Sequence, residues 1–111
     1  MSDCLFCKID CGEIPSEKVY EDDDVYVIRD IAPKAPTHLL VIPHKHITSL
    51  NDLLPEDEAL MGRIMLLLPK LAQDHGLTAG FRTIINTEKG GGQEIFHIHF
   101  HLLGGGPLPF A

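Results

Sequence analysis

The chain is short of positive charge. Nine Lys and Arg stand against 16 Asp and Glu, a formal net charge of -7 with the histidines neutral. Non-specific binding to DNA or RNA needs cations that displace phosphate counterions, so this balance argues against a nucleic-acid partner. A small anion held by local groups is still compatible with it. Long apolar runs are missing too: stretches such as Met65-Leu66-Leu67-Leu68 fall far short of the roughly 20 residues a spanning helix needs. The opening Met1-Ser2-Asp3-Cys4 lacks the basic residues and apolar run of a secretory leader, and no lipidation motif is evident. Cysteine is scarce and odd in number. Three cysteines, two of them in Cys4-x-x-Cys7, do not make a disulfide framework and suit a reducing compartment. These absences predict a cytoplasmic protein with no membrane or nucleic-acid partner.

What is present is an ordinary globular composition, 44% hydrophobic and 23% charged, without internal repeats. At 111 residues the expectation is one domain over 1–111, long enough to bury a core. Residues 19–21 and 25–31 read as short strands joined by the acidic turn Asp22-Asp23-Asp24. Two prolines make Ala32-Pro33-Lys34-Ala35-Pro36 a rigid loop, and the apolar run His38-Leu39-Leu40-Val41-Ile42 reads as a central strand ended by Pro43. Pro55 and the acidic Glu56, Asp57 and Glu58 open a long helix whose Leu60, Ile64, Leu67, Leu68 and Leu71 share one face. Gly76 stops it, and Pro69 is expected to kink it. Strands over 81–86 and 95–103 follow, joined by a glycine-rich loop at 87–93. The order predicts an α+β fold, a mainly antiparallel sheet with helices packed on one face.

Three of the seven histidines fall in His97-Ile98-His99-Phe100-His101, between Gly90-Gly91-Gly92 and Gly104-Gly105-Gly106. Side chains alternate across a strand, so the histidines would line one face while Ile98, Phe100 and Leu102 pack into the core. Three such imidazoles span about 13 Å, and one zinc ion reaches ligands about 2 Å away, so at least one has another task. Neutral imidazole is a good nucleophile near working pH, and a glycine-rich turn can present backbone N–H groups to phosphate oxygens. The bland alternative is a surface strand whose histidines are incidental.

The run Gly92-Gln93-Glu94-Ile95-Phe96-His97-Ile98-His99-Phe100-His101-Leu102-Leu103-Gly104-Gly105 resembles the signature of the histidine triad (HIT) family of nucleotide hydrolases and transferases. Val27-Ile28-Arg29-Asp30-Ile31 with Ala35-Pro36-Thr37-His38 resembles the family's nucleoside-binding region, and Cys4-Leu5-Phe6-Cys7 with Gly12-Glu13-Ile14-Pro15 its N-terminus. The resemblance is greatest to the branch that cleaves purine nucleoside phosphoramidates. It implies a HIT-like fold, a five-stranded antiparallel sheet with one long helix and a short N-terminal helix, assembled as a homodimer. Apolar Met61 and Met65 beside the main helix stripe give that dimer only slight independent support.

By the same resemblance, His99 would attack the α-phosphorus of an AMP-type substrate and form a covalent nucleotidyl-histidine, with no cofactor needed for catalysis. His101 and His38 would hydrogen-bond the phosphate and the nucleophile's surroundings. Gln93 would orient the leaving group, with Asn86 and the Gly92 backbone supporting the phosphate. Asp30 would accept from the ribose hydroxyls, and Phe6, Ile9, Ile28 and Ile31 would enclose the base. Two positions depart from the pattern: Glu94 stands where a small hydroxyl residue often sits, and Gly106 where an arginine often follows. The tail at 107–111, with Leu108-Pro109-Phe110, is short, and in the family such a tail shapes the leaving-group pocket.

Cys4-x-x-Cys7 is half a tetrahedral zinc site. Resemblance to related bacterial members implies completion by His46 and His97, with His44 the rival to His46, and two reduced thiols are the alternative. Within the family, a dinucleoside polyphosphate hydrolase or nucleotidyltransferase shares the nucleophile and differs in leaving group. A nucleotide-binding regulatory module with little turnover shares the pocket.

Overall fold

The computed structural model describes residues 3–109; Met1, Ser2 and the tail residues Phe110 and Ala111 lie outside the described residues. Five antiparallel strands form one sheet: β1 (Tyr20–Glu21), β2 (Val25–Arg29), β3 (Thr37–Pro43), β4 (Arg82–Ile84) and β5 (Phe100–Gly104), in the order β1-β2-β3-β5-β4. Two helices complete the fold, α1 (Leu5–Asp10) and α2 (Glu58–Asp74). The fold is α+β, as expected. The helices, however, pack on opposite faces.

The reason lies in strands that are apolar at nearly every position. On one face Val25, Val27, Leu39, Val41, Phe100 and Leu102 meet Ile64, Leu68 and Leu71 of α2. On the other, Tyr26, Ile28, Leu40 and Ile42 meet Phe6 and Ile9 of α1. Both faces therefore need cover, and one amphipathic helix can supply only one. The Tyr26 hydroxyl donates to the Phe6 carbonyl at 2.6 Å and pins α1 to its face.

Several boundaries differ from those expected. Pro55–Asp57 is a separate 3₁₀ turn ahead of α2, closed by buried Asp57 accepting from the Leu54 N–H. The helix runs on past Pro69, which lies on the exposed side; the carbonyl it leaves unbonded belongs to exposed Met65. Strand β5 starts only at Phe100, because its partner β3 ends at Pro43, which has no N–H to extend the ladder. Residues 95–99 are held instead by loop and side-chain bonds, among them Ile98 N–H to the Ile47 carbonyl at 2.6 Å. At the far end of β5, a side chain on Gly104 would lie within 3.0 Å of Leu77, so glycine lets the segment after α2 cross there.

Candidate active site

The alternation predicted for the histidine run holds: Ile98, Phe100 and Leu102 are buried on the α2 face. The imidazoles point the other way, and each is fixed by a different partner. The His99 Nδ1–H donates to the His97 carbonyl at 2.8 Å, which leaves Nε2 with a free lone pair. The Lys34 backbone N–H donates to His38 Nδ1 at 3.0 Å. His38 must then carry its proton on Nε2, which lies 2.9 Å from His101 Nδ1 and donates to it. His101 in turn carries its proton on Nε2. That atom is the buried side-chain nitrogen or oxygen left without a partner among the described residues. A buried N–H so placed costs about 1–3 kcal/mol unless a ligand accepts from it.

Burial keeps all three rings neutral. It depresses His99 and His38 below the ordinary histidine value, with the Asp30 carboxylate opposing the fall in both. His101 is pushed down to about 4, by burial first and then by His99 and His38. At neutral pH, among the described residues, the site offers one unclaimed lone pair, on His99 Nε2, and one unclaimed donor, on His101 Nε2.

These groups open into a cavity of about 830 Å³. Its lining includes His38, His99, His101, Asp30, Asn86, Gly92 and Glu94, together with Phe6, Ile9, Ile28 and Ile31. Phe6 stands edge-on to the His99 ring, centroids 5.0 Å apart. Ile31 lines the mouth fully exposed, because the chain has left β2 and turned by that point. One Asp30 oxygen accepts from the Ala32 N–H at 2.8 Å, and the other lies 3.5 Å from His38 Nε2.

The glycine-rich loop behaves differently from expectation. The N–H groups of Gly91, Gly92 and Gln93 donate to Glu88 and Lys89 carbonyls, so the loop closes on itself and these donors are taken. Gly92 adopts φ 90, a conformation glycine enters without strain, beside the Asn86 side chain. Gln93 is buried outside the cavity lining. Its carbonyl accepts from the Glu88 N–H at 2.8 Å, and its amide donates to the Thr48 and Ile95 carbonyls at 2.7 and 3.1 Å. Structure thus places Gln93 as a clamp on the loop and does not bring it to the cavity. Lys34 and Arg82, which line the cavity, carried no signal in a linear reading; only the strand register puts Arg82 on this face.

A second cluster lies behind His99. Cys4 Sγ is 3.2 Å from His97 Nδ1, Cys7 Sγ is 3.5 Å from His46 Nδ1, and the two Nδ1 atoms are 3.2 Å apart. Tetrahedral zinc with ordinary bond lengths separates its ligand atoms by about 3.3–3.8 Å, so the set fits. His97 fits in tautomer as well: its Nε2–H donates to the Pro43 carbonyl at 2.8 Å, and burial pushes its pKa down to about 4. Its Nδ1 lone pair then faces the cysteines, the usual arrangement for a ligating imidazole. His44 is elsewhere, its two nitrogens 2.7 Å from Asp10 Oδ2 and 2.8 Å from the Asp22 carbonyl. The structure therefore gathers His46 and not His44.

The HIT domain profile matches residues 11–108. The chain belongs to the HIT family. This HIT chain is 52% identical over 104 residues to the protein HitA of Neisseria gonorrhoeae, covering 94% of this chain and 97% of that protein. It is 50% identical over 105 residues to the purine nucleoside phosphoramidase of Escherichia coli K12, covering 94% and 88%. A HIT family hydrolase from Legionella pneumophila superposes with a TM-score of 0.93 at 50% identity, covering 97% of each chain. A histidine triad protein from Clostridium difficile gives the same TM-score at 46% identity, covering 100% of this chain and 97% of that one. The chain is accordingly a HIT-family hydrolase of HIT fold. Among the described residues no helix is long and apolar enough to cross a membrane.

Proposed function

We propose that this chain, folded as one domain, hydrolyses the phosphorus–nitrogen bond of purine nucleoside phosphoramidates through a covalent intermediate on His99. The observation that carries this reading is the tautomer of His99: with Nδ1–H held by the His97 carbonyl, the Nε2 lone pair is free in a residue that lines the cavity. The base would lie against Phe6, Ile9 and Ile28, Asp30 would accept from the ribose, and the phosphate would sit between His38, His101 and His99. The reading also draws on the 50% identity to a protein named purine nucleoside phosphoramidase.

The chemistry follows from the protons. His99 Nε2 attacks the α-phosphorus, and the phosphorus–nitrogen bond breaks. The leaving nitrogen takes a proton from water and departs as the amine. His101 Nε2–H donates to a phosphoryl oxygen, which supplies the missing acceptor and stabilises the charge gathering there. Water then attacks the phosphorus, the bond to Nε2 breaks, and water's proton passes to solvent. Neutral imidazoles suit the step, since none must first lose a proton.

Cys4, Cys7, His46 and His97 would hold a structural zinc ion, whose contribution is a cross-link between α1 and the segment before β5. Exposed Leu66 and Met65 on α2, the former 78% accessible, support a homodimer. A reducing cytoplasm suits the two ligand thiols. The test is turnover of an adenosine 5′-phosphoramidate of a simple amine beside that of a dinucleoside polyphosphate. Faster release from the amidate supports the reading; preference for the anhydride would move the activity to the polyphosphate branch of the family.

A further inference from the structure

The strand register lays two rows of side chains across the cavity face. Ile28, Leu40, His101 and Ile84 form one row, through the pairs Ile28–Leu40, Leu40–His101 and Ile84–His101. The other row runs from Asp30, whose N–H bonds the His38 carbonyl, through His38 and Leu103 to Arg82. The base walls stand over β2 and β3 at one end, and the phosphate-binding histidines are in the middle. A leaving group directed away from the base must therefore extend over β4. Arg82 stands there, about 10 Å from His38 at two strand spacings.

Several charged residues line this cavity. Asp30 and Lys34 belong to the β2–β3 end, where Lys34 Nζ donates to the Ala32 carbonyl. Arg29 lies at that end too. Glu94, which follows the loop after Asn86, lines the cavity as well. Arg82 is the cation at the β4 end, and its bond among the described residues goes to a carbonyl and not to a carboxylate. Its Nη1 donates to the Pro109 carbonyl, which anchors one edge of the guanidinium and leaves its other N–H groups unclaimed among the described residues.

We propose that Arg82 is a specificity residue that selects leaving amines bearing a carboxylate, of the amino-acid type. A guanidinium fork matches a carboxylate with two parallel hydrogen bonds. A single positive charge, in a cavity that also holds Glu94, suits a monoanion better than a phosphate dianion. The proposal rests on the phosphoramidate reading above and deepens it.

The test compares the adenosine 5′-phosphoramidates of alanine and of alaninamide, equal in size and in the bond cleaved but different in charge. Wild type is expected to favour the acid by at least about tenfold in kcat/KM. Arg82→Gln brings the ratio close to one, Arg82→Lys restores part of it, and Arg82→Glu puts the amide ahead. A purely structural role for Arg82 would lower both substrates together and leave their ratio in place, which overturns the proposal, as does a wild-type ratio near one. Calorimetric affinity for the uncleavable sulfamoyl analogues of the two compounds gives a readout independent of turnover. A preference for the acid analogue that Arg82→Gln abolishes, with neither amidate turned over, would keep Arg82's role and sink the hydrolytic reading. Equal affinity for the two analogues would overturn the Arg82 assignment by itself.

Discussion

The His97 carbonyl accepts a hydrogen bond from His99 Nδ1 at 2.8 Å, while the His97 ring lies 3.2 Å from both Cys4 Sγ and His46 Nδ1. One residue therefore sets the tautomer of His99 through its backbone and joins the Cys4, Cys7 and His46 cluster through its side chain. Phe6, two residues after the Cys4 cap of α1, stands edge-on to both rings, with centroids 5.9 Å from His97 and 5.0 Å from His99. The cluster, Phe6 and His99 form one mechanical unit.

Zinc loss should therefore be felt in fold and in site together. Metal analysis is expected to return about one zinc per chain, and Cys7→Ser to lose it. The melting temperature should fall by about 10 °C, because the ion would join α1 to the chain before β5. Nucleotide affinity should weaken as Phe6 and Ile9 loosen. A metal-free variant with unchanged melting and affinity would contradict the coupling.

Activity should persist well into mild acid. Protonation of His99 Nε2 would remove the attacking lone pair, and burial holds the His99, His38 and His101 pKa values down. The acid limb of kcat/KM should then be centred below the ordinary 6.5, in the range toward about 4 set by His101. Since the three rings interact, the limb reports the group and not one residue. Half-maximal kcat/KM at 6.5 or above would show that burial does not control these rings.

Gln93 should behave as a clamp. Gln93→Glu replaces two amide donors with a carboxylate facing the Thr48 and Ile95 carbonyls, at a cost of about 1–3 kcal/mol for each bond lost. Thermal unfolding should shift down markedly, and the rate should fall alike for good and poor leaving groups. A large effect confined to poor leaving groups, with stability intact, would instead return Gln93 to the leaving group.

Much of this was legible in the linear chain because it rests on alternation. The spacing of Ile98, Phe100 and Leu102 against His97, His99 and His101 assigns faces without any knowledge of neighbours. The Phe6, Ile9 and Ile28 walls and the Cys4, Cys7, His46 and His97 set came through resemblance to the family, and the structure brings each set together. What could not be read depends on pairing. Arg82 reaches the cavity only through its register with Leu103, and Lys34 matters through a backbone N–H that any residue but proline supplies. The late start of β5 follows from Pro43 on the neighbouring strand, far away in sequence, and no local mark at residues 95–99 announces it.

The central claim is covalent catalysis at His99, and its most direct measurement is mass spectrometry of protein quenched during turnover of an adenosine phosphoramidate. Wild type and His99→Ala would be run side by side, with single-turnover kinetics to capture a short-lived adduct. The expected result is an adenylyl adduct on the peptide holding His99, absent from the variant. Substrate consumed by His99→Ala at the wild-type rate, or an adduct placed on another residue, would contradict it.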